Sequence, residues 1–179
     1  MNQKKISKFL SYVLRHNPSA IDLKLDNQGW ASIEQLLQQL EHHKRPISHN
    51  ELLEVVKNNN KQRFKINETG LYIRANQGHS IPIDLGLEPM VPPMLLYHGT
   101  AQKNKQSILE FGLQKRNRHQ VHLSSQYSTA LQVGSRHGKP LIFAVDTQAM
   151  QEAGHLFYQS DNGVWLTEHV PSQYLKEQI

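Results

Sequence analysis

An α+β chain of two lobes is what the sequence predicts, and two observations predict it. The first half carries three helical apolar spacings and then a hairpin pattern, whereas the second half interleaves alternating strand patterns with short helical ones. Between them, residues 76–94 hold two glycines and four prolines, a composition that suits extended connecting chain. The boundary is placed near residue 85, giving lobes 1–85 and 86–179, each large enough to fold alone.

The elements follow in order. Ile6, Phe9, Leu10, Val13 and Leu14 fall at helical spacing, so residues 4–16 form an amphipathic helix stopped by Pro18. Its last turn carries Arg15 and His16. A helix C-terminus favours cations, and this accounts for both without a ligand. Leu23 and Leu25 alternate with polar residues ahead of a turn at Asp26-Asn27-Gln28-Gly29. Ser32 N-caps a helix whose apolar side is Ile33, Leu36, Leu37 and Leu40. Ser48 with Glu51 is a capping box, followed by Leu52, Leu53, Val55 and Val56. Arg63-Phe64-Lys65-Ile66, the turn Asn67-Glu68-Thr69-Gly70 and Leu71-Tyr72-Ile73-Arg74 make a hairpin. Three helices and a hairpin describe a winged-helix module, a fold that often binds nucleic acid but does not by itself establish function. Arg63 lies on the polar face of its strand, at the junction with the preceding helix.

In the second half Leu95-Leu96-Tyr97 reads as a buried strand ending in His98-Gly99-Thr100. A glycine there would let a ligand approach the backbone. A helix is predicted over 101–110 with Ile108 and Leu109 buried, and a strand over His119–Ser124. Residues 127–137 read as a helix with Ala130, Leu131 and Val133 inward. Pro140–Val145 is the strongest strand, and shorter ones are expected at 155–159, 164–167 and near 169–174.

Composition narrows the functions available. The net charge is +5, carried as +4 on residues 1–85 and +1 on the rest, which favours a polyanion partner for the first lobe. There is no cysteine, so thiolate catalysis, disulfides and Cys-held zinc are excluded. The 11 histidines show no metal-ligand spacing, and His42-His43 reads as solvated loop. No GxGxxG follows a strand and no P-loop occurs. No apolar run approaches a membrane span, and the start leads straight into a helix. A cytoplasmic monomer without metal is the expectation.

Six short motifs occur in one order: Leu14-Arg15-His16-Asn17-Pro18, Lys61-Gln62-Arg63-Phe64, Gln77-Gly78-His79-Ser80, Tyr97-His98-Gly99-Thr100, Arg118 with Val121-His122-Leu123-Ser124, and Asn162-Gly163-Val164-Trp165-Leu166-Thr167. Together they resemble the Tpt1/KptA family of NAD-dependent RNA 2′-phosphotransferases along essentially the whole chain. The resemblance implies a winged-helix RNA lobe and an ADP-ribosyltransferase-like NAD-binding lobe. It implies NAD⁺ as co-substrate and an RNA bearing an internal 2′-phosphate, tRNA-like, as the other substrate. The family's Arg-His-Arg-Arg tetrad falls on Arg15, His16, Arg63 and Arg118, with Arg116 as a second choice for the last. The His119-Gln120 order beside Arg118 departs from the family pattern. The nucleotide-site signature falls on His98 and His122, with Gly99, Thr100 and Ser124 lining the site. Val164 stands where many ADP-ribosyltransferases have a glutamate.

Those residue types suit that chemistry. Arginine keeps its charge and presents a planar fork that grips phosphate oxygens, and histidine can donate to phosphate or carry a proton near neutral pH. A phosphate is already anionic, so it needs no carboxylate to attack a ribosyl centre, and a glutamate beside it would repel it. Glu168 lies too far along the strand from Val164 to substitute and reads as surface. Arg136-His137-Gly138-Lys139 serves equally as a helix terminus or an RNA contact. Two other readings remain open: an ADP-ribosyltransferase acting on terminal nucleic-acid phosphates or protein, and a non-catalytic winged-helix nucleic-acid-binding protein.

Overall fold

A computed structural model describes residues 2–178, with the backbone only for His137. The chain divides into two compact units, Met1–Gly86 and Leu87–Ile179. Among the described residues the fold is mixed α and β, with six α-helices and several small sheets whose strands pair antiparallel.

The first unit begins with α1 (Gln3–Arg15), N-capped by the Asn2 side chain, which accepts from the Lys4 N–H. Ile6, Leu10, Val13 and Leu14 are its buried stripe. A 3-10 turn at Pro18–Ile21 follows, with the ring of Pro18 barring continuation of the helix. Leu23 and Leu25 form no strand. Asp26 instead folds the chain locally, its carboxylate accepting from the N–H groups of Gln28 and Trp30.

The short strand β1 (Ala31–Ser32), which the sequence does not announce, leads into α2 (Ile33–His42), capped by Ser32 as expected. His42 closes that helix rather than lying in a loop, and His43 Nε2 sits 3.1 Å from Asp22 Oδ2. Next comes α3 (His49–Lys57), with its complete capping box on Ser48 and Glu51. Its backbone and hydroxyl hydrogen bonds hold the Glu51 carboxyl below the usual carboxylate range. The hairpin is β2 (Phe64–Ile66) against β3 (Tyr72–Ala75), and β1 pairs on the other side of β3.

One core unites the three helices and the sheet through Leu10, Leu14, Leu36, Leu52, Phe64 and Ile73. Arg74 is buried on β3 with its guanidinium 4.6 Å over the Trp30 ring, so it is no ordinary strand-edge cation. The stretch after β3 has no regular structure, but it is fastened to this unit. The Ser80 N–H donates to the Arg15 carbonyl and the Asp84 N–H to the Asn27 carbonyl, each at 2.9 Å.

The second unit opens with β4 (Leu95–Ala101), which carries His98-Gly99-Thr100 at its end as expected. Leu96 is buried but Leu95 is half-exposed. A 3-10 turn precedes α4 (Lys105–Phe111), where Ile108 is buried and Leu109, expected inside, is exposed. Then come β5 (Leu113–Gln114), β6 (Val121–Leu123) and α5 (Tyr127–Gly134).

The inward side of α5 is Ala130 and Gly134, whereas Leu131 is exposed and Val133 half-buried. The reason is close packing. This helix lies so near β4 that only small residues fit between them. β7 (Pro140–Asp146) is the central strand and is buried through Val145. The Asp146 carboxylate caps α6 (Thr147–Glu152), a helix too short to show a period in the sequence. β8 (Tyr158–Gln159), β9 (Trp165–Thr167), β10 (His169–Val170) and β11 (Leu175–Gln178) complete the unit.

The sheets run β11-β7-β4, β6-β9-β8 and β10-β5. A bridge between Tyr97 and Ser124 ties the first of these to the second. Leu96, Phe143, Val145, Phe157 and Trp165 are among the residues of the core.

Candidate active site

In the first unit the structure draws Arg15, His16 and Arg63 together. Arg15 is the last residue of α1 and His16 its C-cap, so both leave the helix where its carbonyls end. Arg63 stands immediately before β2. Arg15 Nη2 reaches toward the Arg63 carbonyl over a long 3.5 Å. That same carbonyl accepts the Asn76 N–H at 2.9 Å. His16 Nδ1 lies 2.9 Å from Ser80 Oγ, while the Ser80 N–H holds the Arg15 carbonyl.

Residues 76–80 therefore bind Arg63 at one end and Arg15 with His16 at the other. Gly78, in the middle, has φ +86°, a left-handed conformation that suits glycine. The Gln77-Gly78-His79-Ser80 motif thus arranges this constellation, a role its sequence does not disclose. Asn59 and Asn76 are the other residues that sequence reasoning missed. Asn59 Oδ1 accepts from Arg63 Nη1 at 3.0 Å, and Asn76 Nδ2 donates to the Gln62 carbonyl at 2.5 Å.

In the second unit His98, Arg118 and His122 form one hydrogen-bonded group. His98 Nδ1 is 3.0 Å from the His122 carbonyl, which can only accept. The Nδ1 proton is thereby fixed, and in the neutral ring Nε2 is an acceptor. Desolvation, with the charges of Arg116 and Arg118 nearby, pushes the His98 pKa down, against the opposing pull of the carbonyl. Arg118 Nη1 lies 2.6 Å from His122 Nδ1. A guanidinium has only hydrogens to give, so His122 accepts at Nδ1 and keeps its own proton on Nε2. Desolvation lowers the Arg118 pKa too, from so high a start that the group stays charged at neutral pH.

The remaining positions behave differently. Ser124 exchanges both backbone hydrogen bonds with Tyr97, at 2.7 and 2.9 Å. Its hydroxyl is occupied within its own turn by Gln126. Thr100 is buried, and its Oγ1 accepts from Asn104 Nδ2 at 2.9 Å. Val164 precedes β9. Continuing the β6–β9 register by one residue sets it opposite Ser124.

At Gly99 a Cβ would lie 1.7 Å from the Ala130 carbonyl oxygen, so the missing side chain is what lets the backbone of α5 lie against β4. By strand alternation the His98 side chain points to the opposite face of β4. Glu168 is exposed and paired with Lys115 at 2.7 Å, in keeping with its reading as surface.

The state of His98 has a measurable consequence. Its folded pKa lies below the ordinary histidine value, so between the two values the unfolded chain binds more protons than the folded one. Stability is then full above about pH 6.5 and falls as the pH drops below it, by at most about 1.4 kcal/mol per pH unit. Urea unfolding between pH 7.5 and 5 is expected to show this decline. His98→Asn, which keeps a donor for the His122 carbonyl but cannot titrate, is expected to flatten it. An unchanged pH profile in that variant would contradict the assignment.

With this geometry in place, comparison with known proteins is decisive about kinship. The chain is similar to transferases from several bacteria. The "Probable RNA 2′-phosphotransferase" of Acaryochloris marina is 53% identical over 174 residues, 97% of this chain and 96% of that protein. The protein of the same name from Pseudomonas aeruginosa is 50% identical over 172 residues, covering 96% and 94%. That of Fusobacterium nucleatum is 46% identical over 176 residues, covering 98% of each. The family described as RNA 2′-phosphotransferase, Tpt1 / KptA family, matches residues 1–169. The chain belongs to that family.

Proposed function

We propose that the protein is an RNA 2′-phosphotransferase with NAD⁺ as co-substrate, removing an internal 2′-phosphate from RNA. The observation that carries this reading is the joining of Arg15, His16 and Arg63 by residues 76–80, in a chain of this family. An arginine and a histidine at the end of α1, with a second arginine before β2, offer dense donor capacity to a dianionic phosphate. The element order α1, β1, α2, α3, β2, β3 supports a winged-helix RNA lobe. The strand-rich second unit is the proposed ADP-ribosyltransferase-like lobe.

NAD⁺ supplies the ribosyl electrophile and the nicotinamide leaving group. The RNA 2′-phosphate attacks C1″ of the nicotinamide ribose and the C–N bond breaks. The 2″-hydroxyl then attacks phosphorus, and the RNA 2′-oxygen leaves with the proton that the hydroxyl gives up. The products are nicotinamide, 2′-hydroxyl RNA and ADP-ribose 1″,2″-cyclic phosphate.

In this scheme Arg15 and Arg63 hold the phosphate, and Arg118 has the catalytic role that the family resemblance gives it. His16 donates to the phosphate and relays the proton. His98, neutral and with Nε2 an acceptor, suits a ribose hydroxyl; His122, with its proton on Nε2, suits an acceptor atom of the nucleotide. Thr100, Ser124 and Val164 are proposed to line the same nucleotide site. No carboxylate is required at Val164, because the nucleophile arrives charged.

The test is a short RNA with one internal 2′-phosphate, incubated with the protein with and without NAD⁺. Loss of phosphate only with NAD⁺, with release of the cyclic product, is expected. Retention of the phosphate in both would sink the reading. A stable ADP-ribosyl adduct as end product would mark a plain ADP-ribosyltransferase instead.

A further inference from the structure

Asn59 lies one residue after the C-cap of α3 and is buried. Its amide is oriented without ambiguity. Oδ1 accepts from Arg63 Nη1 at 3.0 Å and from the Lys61 N–H at 3.2 Å, and both of those groups can only donate. Nδ2 therefore faces the other way and donates to Ser7 Oγ at 3.0 Å. Ser7 belongs to α1, two turns before Arg15. One buried side chain thus ties the guanidinium of Arg63 to the helix that ends in Arg15 and His16.

The chemistry of that partner matters as much as its place. A carboxylate at this point would hold Arg63 more strongly but would neutralise it. The amide oxygen fixes one N–H of the fork and leaves the full positive charge for an anion.

We propose that Asn59 is a positioning residue for phosphate recognition, which aims Arg63 through a neutral hydrogen bond and so preserves its charge. The inference rests on the reading of Arg63 as a phosphate ligand. It predicts that Asn59→Asp, nearly isosteric and still able to accept from Arg63 and Lys61, weakens anion binding although the contacts survive.

The experiment is a double-mutant cycle read by fluorescence anisotropy. It uses a short RNA with an internal 2′-phosphate and its 2′-hydroxyl counterpart, at several salt concentrations. Wild type, Asn59→Asp, Arg63→Ala and the double variant are compared, with the thermal midpoint recorded for each. Asn59→Asp is expected to weaken binding of the 2′-phosphorylated RNA about tenfold and to lower the salt slope by roughly one phosphate contact. In the Arg63→Ala background the same change is expected to cost only about threefold, the direct repulsion of the added carboxylate, because the aim of Arg63 is no longer there to lose.

An equal effect in both backgrounds, including none in either, overturns the proposal. If Asn59→Asp does not fold, Asn59→Ser replaces it. That variant shortens the side chain out of reach of Arg63, and its cost must vanish when Arg63 is alanine. Wild-type protein that binds the two RNAs equally refutes the 2′-phosphate reading. The cycle is then scored on the unmodified RNA, where the same non-additivity decides the role of Asn59.

Discussion

Arg63→Ala is expected to lower turnover of a 2′-phosphorylated RNA by about 10²–10³-fold, from the roughly 2–4 kcal/mol of transition-state stabilisation that a preorganised donor supplies. In the proposed scheme Arg63 grips the 2′-phosphate from binding through the attack of the 2″-hydroxyl, so the loss should show in both KM and kcat. ADP-ribosylated RNA should then accumulate in a single-turnover experiment resolved on a gel. Arg63→Lys keeps the charge and loses the fork, so it should recover only part of the rate. Because Arg63 is held by Asn59 and its carbonyl by Asn76, the replaced side chain leaves a scaffold that still folds, and the thermal midpoint should move little. Full activity in Arg63→Ala would remove it from the phosphate site.

Gly99→Ala is expected to destabilise the second unit by about 3 kcal/mol or more, the upper end of what overpacking costs. The added methyl would meet the Ala130 carbonyl oxygen at 1.7 Å and its carbon at 2.6 Å. Ordinary contact is roughly 3.5 Å, so α5 would have to retreat from β4 by more than an ångström, and helix backbone does not yield as a side chain does. Gly134 offers an internal control. A Cβ there would lie 2.7 Å from the Thr100 carbonyl oxygen, a lesser conflict. Chemical denaturation should therefore rank Gly99→Ala below Gly134→Ala, and both below the parent. Wild-type stability in Gly99→Ala would mean that α5 does not lie on β4 as described.

The contrast between these residues shows what the sequence could and could not disclose. Helix α1, the two serine caps and the hairpin were legible because each is written locally, in apolar period, cap chemistry and turn residues. Leu109 and Leu131 were misread because apolar residues in short helices carry little phase information, and small residues set the α5 packing. β11 has a single apolar residue and is a strand only because β7 offers it an edge. Arg15, His16 and Arg63 were found by their motifs, not by their periodicity, which suggested only a helix terminus and a strand start. Asn59 and Asn76 escaped, and Ser80 was quoted in its motif without a role, because each depends on hydrogen bonds to residues apart in sequence: Ser7 for Asn59, Gln62 and Arg63 for Asn76, Arg15 and His16 for Ser80. Gly99 has a packing role that its motif does not state, because which backbone fills the space of a missing Cβ is not written locally.

The fastening of residues 76–86 onto the first unit sets where that unit ends for anyone wishing to produce it as a recombinant fragment. A cut after the hairpin, at Ala75, looks natural on secondary structure alone. It would discard the Ser80 N–H that closes the Arg15 carbonyl and the hydroxyl beside His16, and would uncover the surface on which His79 is now buried. Such a fragment would keep its three helices and lose the arrangement of its terminal cations. One carried through Gly86 would retain both.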